Sequence, residues 1–140
     1  MKWVTWKNIG VDRMACAWLI RRWIDPKGEF AFIPIGEKPA PERGEPFDIP
    51  GFRFSHHGGH CTFHALLKEH KITDASLVRI ARMVDEADEI QEVTVEPAAS
   101  GLDLICRGLR QISQDDFEAM ERGGLVYDAV YAQLQLDFGA

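Results

Sequence analysis

Four of the chain's five histidines and one of its three cysteines fall within ten residues, Ser55-His56-His57-Gly58-Gly59-His60-Cys61-Thr62-Phe63-His64. Imidazole and thiolate are the usual protein ligands for zinc and related transition metals. Gly58 and Gly59 let the backbone turn sharply, so side chains from a strand before them and a helix after them can converge. With a helix starting near His60, His60 and His64 lie one turn apart on a shared face. The spacing matches no zinc motif. The signal is one of density, and a solvated polar turn would hold the same residues.

A metal needs further ligands, and carboxylates are the natural supply. Asp88 continues the apolar stripe of Leu77, Ala81 and Val84, which points it to the core side, where a carboxylate is costly unless paired or coordinated. Asp85, three residues earlier, is close enough to act with it. A helix that frays before Asp88 would instead leave an acidic surface end.

Asp12 and Cys16 are also one turn apart, on the face shared with Leu19, Ile20 and Trp23. Asp12 suits the helix dipole there or orients a ligand. Cys16 reads as a small core residue or, with Cys61, as a catalytic thiol; Cys106 reads as structural. Arg13, Arg21 and Arg22 are candidates for holding an oxyanion by bidentate hydrogen bonds if they point inward, and solvated or paired if they do not. Asp128, beside the apolar stripe Tyr127, Val130, Tyr131 and Leu134, is either a surface charge or a partner that orients a ligand. No phosphate-binding glycine loop, G-x-S-x-G elbow or H-E-x-x-H signature is present.

These residues need elements to position them. Trp3–Trp6 is aromatic and β-branched, as an opening strand requires. Val11–Ile24 reads as a largely buried helix that Pro26 stops. Glu29–Ile35 is a second strand, residues 36–50 with four prolines a stiff loop, and Phe52–Ser55 a third strand ending at the histidines. A helix follows from about Thr62, carrying Phe63, Leu66, Leu67 and His70 on one side. Asp74 caps the next, with Leu77, Ile80, Ala81 and Val84 as its apolar stripe. Helices over 99–112 and 114–135 complete the chain, the latter interrupted at Gly123-Gly124. The expectation is an α+β fold in one domain, 1–140, with about three short strands, five or six helices and a helix-rich C-terminal half.

The formal net charge of −6 argues against non-specific attraction to nucleic acid or anionic lipid. Charge is uneven, however: the stretch to Lys27 is basic, and the run from Asp85 to Glu96 acidic. Three widely spaced cysteines do not suit a disulfide framework. The longest apolar-rich run, Met14–Ile24, is broken by Arg21 and Arg22 and too short for a bilayer, and no secretory pattern opens the chain. A cytoplasmic protein is expected.

Several stretches together resemble the family of C-terminal domains of ChrB chromate-resistance proteins. They are Val11-Asp12-Arg13-Met14-Ala15-Cys16-Ala17-Trp18-Leu19-Ile20-Arg21-Arg22, Phe47-Asp48, Ser55-His56-His57-Gly58, Cys61-Thr62-Phe63, Ala99-Ser100-Gly101-Leu102 and Tyr127-Asp128-Ala129-Val130-Tyr131. The resemblance runs from about Trp3 to Leu134, and its first block is the most specific. It implies a regulatory or sensing role in chromate resistance and carries over Asp12, Arg13, Cys16, Arg21, Arg22, His56, Cys61 and Asp128. Relatives often have an acid at the position of His64 and a histidine at that of Asp85, which makes His56 the better ligand. The family's longer members begin with a domain thought to contact DNA, for which these residues leave no room, so direct nucleic-acid binding is not expected.

The candidate metal ligands are therefore His56, His57, Asp85 and Asp88, for a divalent transition metal such as zinc, manganese or iron, with Asp12 and Asp128 orienting them. Three readings compete. One is a chromate-response module that binds a metal ion or small oxyanion. Another is an enzyme, either a metal-assisted hydrolase or a reductase using Cys61 or Cys16. The last is an interaction module that forms a homodimer or docks a partner protein.

Overall fold

A computed structural model describes residues 1–88 and 95–138. Strand β1 (Lys2–Trp6) lies at the centre of a three-stranded parallel sheet of order β2-β1-β3. Parallel neighbours need a crossover, which helix α1 (Val11–Leu19) and its π-helical extension (Ile20–Ile24) supply before β2 (Glu29–Ile33). The register pairs Lys2 with Glu29 and Trp6 with Ile33. Both faces of the sheet are covered. Trp3 packs into the main core, while Val4 points the other way and meets Ile33 and Ile49, as the period-two alternation of a strand requires.

The third strand is not where the sequence placed it. β3 (Glu45–Pro46) lies inside the stretch expected to be a proline-stiffened loop, pairing with Trp3 and Val4. Proline is tolerated at a sheet edge because its missing N–H would have faced outward. Phe47 N–H then bonds to Val4 O at 3.0 Å. Phe52–Ser55 folds back along this segment and makes only an isolated bridge, Phe47 to Phe54, with Asp48 N–H on Phe54 O at 2.7 Å. β2 stops at Ile33 because Pro34 has no donor to continue the ladder.

Eight of the nine residues of α1 are buried, as its nearly all-round apolar pattern predicts. Helices α2 (Thr62–Glu69), α3 (Ala75–Asp88), α4 (Ala99–Ile112) and α5 (Asp116–Asp137) all pack against it. Asp74 caps α3 through Ser76 N–H and Leu77 N–H, and the stripe Leu77, Ile80, Ala81 and Val84 is buried. His70, by contrast, ends α2 with its ring on its own helix, Nδ1 2.9 Å from Leu66 O. Of the acidic run, residues 89–94 lie outside the described residues. Among the described residues, no helix is long and apolar enough to cross a membrane.

Helix α5 runs unbroken through Gly123-Gly124, against expectation, because the glycines serve a crossing and not a break. A Cβ on Gly123 would stand 2.8 Å from Met14 Sδ and 3.0 Å from its Cγ, whereas one on Gly124 meets only Trp18 Cδ1 at 3.9 Å. The two positions should therefore respond oppositely in urea denaturation. Gly124→Ala is expected to stabilise by about 0.5–1 kcal/mol through better helix propensity. Gly123→Val should destabilise by about 1–3 kcal/mol through overpacking against α1.

Candidate metal site

The turn that carries the histidines is a tight one. Gly58 and Gly59 both have positive φ, +55° and +79°, and His57 and His60 exchange backbone hydrogen bonds of 3.1 and 2.9 Å across them. That geometry is the primed hairpin turn, which two successive glycines permit. It sends the adjacent histidines to different places.

His56 turns into the protein. Its Nε2 lies 3.1 Å from Asp12 Oδ2, 3.3 Å from Asp48 Oδ1 and 3.1 Å from Asp88 Oδ2. Four separate segments meet there: the first turn of α1, the loop after β3, the histidine turn and the end of α3. Ligand atoms of Asp12, Asp48 and His56 all lie within 4.8 Å of one another. A protonated Nε2 offers one hydrogen to three carboxylates, and an unprotonated Nε2 offers a lone pair. Only the unprotonated form can ligate a cation, and the three carboxylates around it can supply the other donors.

The surrounding bonds hold these ligands in place. Asp12 is buried and accepts Thr62 N–H at 2.9 Å and Phe63 N–H at 3.1 Å, so it caps α2 from α1 rather than its own helix. Asp48 Oδ1 accepts the Thr62 hydroxyl at 2.7 Å. On its other side, Asp48 receives Arg13, whose Nε lies 3.2 Å from Oδ2 and whose Nη2 donates to the Asp48 carbonyl at 2.9 Å. Burial first, and the Asp48 charge second, push the Asp12 carboxyl above its ordinary range; the bonds from His56 and Thr62 pull it partly back. Paired carboxylates in a dry place are unfavourable alone. A divalent cation relieves both causes, and the outer hydrogen bonds are of the kind that orient metal ligands.

The other sequence candidates lie elsewhere. His57 Nε2 sits 3.0 Å from Arg53 O, and His60 stacks on His64 with ring centroids 4.1 Å apart. Burial, then the neighbouring His60, lowers the His64 pKa. Asp85 does not join Asp88: its Oδ1 accepts Cys61 N–H at 2.7 Å and its Oδ2 lies 3.0 Å from His60 Nδ1. Asp85 and Asp12 thus share the capping of α2. Arg21 pairs with Glu121 and Arg22 with Asp128, and all four line a separate cavity of about 340 Å³ beside Trp18. Asp128 holds the Trp18 indole N–H at 2.8 Å.

All three cysteines are free and buried. Cys16 Sγ lies 3.3 Å from Asp12 Oδ1, and Cys61 Sγ 3.7 Å from Ala81 O. Burial first, then the charge of Asp12, pushes both thiols up. Cys106 is raised to about 11, chiefly by burial.

Sequence reasoning gave Asp12 only an orienting role and Asp48 none. A local signal for Asp48 exists in retrospect. It is a single acid between Phe47 and Ile49, within a block that the family resemblance includes, and the structure gives it a positive φ of 54°.

Residues 3–134 match the family model described as ChrB, C-terminal domain. Protein ChrB of Cupriavidus metallidurans is 33% identical over 131 residues, which covers 93% of this chain and 40% of that protein. No solved structure matches the chain. The chain belongs to the ChrB C-terminal domain family, and the Asp–His cluster lies wholly within the matched residues.

Proposed function

We propose that the chain is a metal-binding module of the chromate response, holding one divalent transition-metal ion through Asp12, Asp48, His56 and Asp88. Family membership supports the link to chromate resistance. The observation that carries the metal is the convergence of three carboxylates on one imidazole nitrogen, at 3.1–3.3 Å. A donor set of carboxylates with one imidazole favours a harder ion, manganese or iron(II), over thiolate-rich sites. The cluster by itself repels anions, so a metal fits it better than an oxyanion. His56 and Asp88 are partly exposed, at 37% and 30% of their side-chain surface, which leaves a side from which an ion enters.

The open side also favours, as a second reading, a hydrolase in which the bound metal polarises a water. The reductase reading draws no such support, because a reactive cysteine needs an exposed, low-pKa thiolate and Cys16 and Cys61 are buried with raised pKa values.

The test is elemental analysis of the purified protein after manganese or zinc loading, for wild type and His56→Ala. The expected result is close to one ion per chain in wild type. In the variant, affinity should fall by more than the 10–100-fold typical of losing a mere orienting group. The melting temperature of the metal-free variant, measured alongside, separates loss of the metal from loss of the fold. Absence of metal from loaded wild type would overturn the proposal.

A further inference from the structure

A cleft of about 180 Å³ opens beside the cluster. One wall carries Asp12, Arg13, Asp48 and Asp88; the other is α4, which presents Asp103, Arg107 and Arg110. These three fall at i, i+4 and i+7, a single helical face. Arg107 Nε donates to Asp103 Oδ2 at 2.8 Å, and Arg110 Nη1 to Asn8 O at a long 3.3 Å. Most donors of both forks are therefore uncommitted among the described residues. On the facing wall, Arg13 Nε is buried 3.2 Å from Asp48 Oδ2 and has no hydrogen-bond partner among the described residues.

Charge decides what this cleft accepts. Four carboxylates face three guanidinium groups, so acidic side chains outnumber basic ones in the metal-free cleft. A divalent cation at the cluster adds two positive charges and shifts that balance toward anions. Guanidinium forks match the paired oxygens of oxyanions. The volume is below the ~300–1,000 Å³ of pockets that take drug-sized molecules, which restricts the ligand to something of the size of an inorganic ion or a phosphoryl group.

Resting on the metal reading above, we infer that Arg107, Arg110 and Arg13 seat a small tetrahedral dianion beside the bound metal, and that the anion binds only after the metal. Coupling of this kind is reciprocal: the anion must tighten metal binding by the factor by which the metal tightens anion binding.

Isothermal titration of the full chain with molybdate, a redox-inert dianion, tests it in metal-loaded and metal-free protein. Saturable binding is expected in the loaded form, weaker by about 5–150-fold or absent without metal. The Arg107→Gln/Arg110→Gln double variant should keep its melting temperature and metal content while losing anion binding by tenfold or more. Phenyl phosphate, titrated in parallel, separates the two sources of such a group: tighter binding of molybdate assigns the seat to free oxyanions, and tighter binding of the ester to organic phosphates. Stoichiometric metal with no anion binding, equal anion affinity with and without metal, or unchanged binding in the double variant would overturn this inference and leave the metal reading standing. Absence of metal from loaded wild type overturns both.

Discussion

Alanine in place of Asp12 is expected to lower the melting temperature of the metal-free protein by roughly 10 °C and to abolish stabilisation by metal. The carboxylate accepts the N–H groups of Thr62 and Phe63, both fully buried. Removing it leaves two buried donors unsatisfied, each costing about 1–3 kcal/mol, partly offset by relief of a desolvated charge. A net loss of about 2–3 kcal/mol corresponds to the stated shift at this chain length. Wild type with metal at a hundred times its dissociation constant should gain about 2.7 kcal/mol, and the variant nothing. Differential scanning calorimetry with and without metal reads both. An unchanged metal-free melting temperature would deny Asp12 its place at the junction of α1 and α2.

The sign of the pH dependence follows from the same group. The Asp12 carboxyl is raised by burial and by Asp48, so in the metal-free fold it holds its proton more firmly than in the unfolded chain. Its charge is therefore no burden at a pH below the ordinary carboxylate value, and a full burden above the raised one. Metal must displace that proton, so the stabilisation by metal in wild type grows as pH rises through the raised value.

Local pattern carried much of the fold. The aromatic and β-branched start, the apolar wrap of Val11–Leu19, the cap at Asp74 and the stripe of α3 each follow from residues within a turn or two. β3 was hidden because prolines mark loops, yet Pro46 needs only an edge where its missing N–H faces outward, while Phe47 N–H makes the bond to Val4 O. The break expected at Gly123 was the opposite of its role, since only the approach of Met14 from α1 explains the missing Cβ. The candidate site was legible in part: density drew attention to the turn that carries His56, and His56 and Asp88 both reach the Asp–His cluster. His57 and Asp85 do not, because the Gly58-Gly59 turn parts the histidines and Asp85 finds the free N–H of Cys61. Asp12 meets His56 across 44 residues, and Asp48 is held in place by the Thr62 hydroxyl across 14. No spacing rule reaches that far.

Trp18→Ala is expected to cost about 3–5 kcal/mol, a large share of the roughly 5–15 kcal/mol that holds a domain together. The indole stacks on Tyr127 at 5.6 Å and Phe63 at 6.5 Å and meets the edge of Trp23 at 5.0 Å. It is thus the piece by which α1 grips α2 and α5. Its N–H is also the inner partner of Asp128, whose outer oxygen takes Arg22. Arg22→Ala breaks only that outer, exposed pair and should change stability by less than about 1 kcal/mol. Urea denaturation separates the two variants. The comparison also decides between the two sets of arginines, because Arg21 and Arg22 are committed to acids on α5 while Arg107 and Arg110 face the carboxylate cluster. Anion binding by metal-loaded Arg22→Ala should match wild type. A tenfold loss there would move the anion to the cavity beside Trp18 and make Asp128 the competitor it displaces.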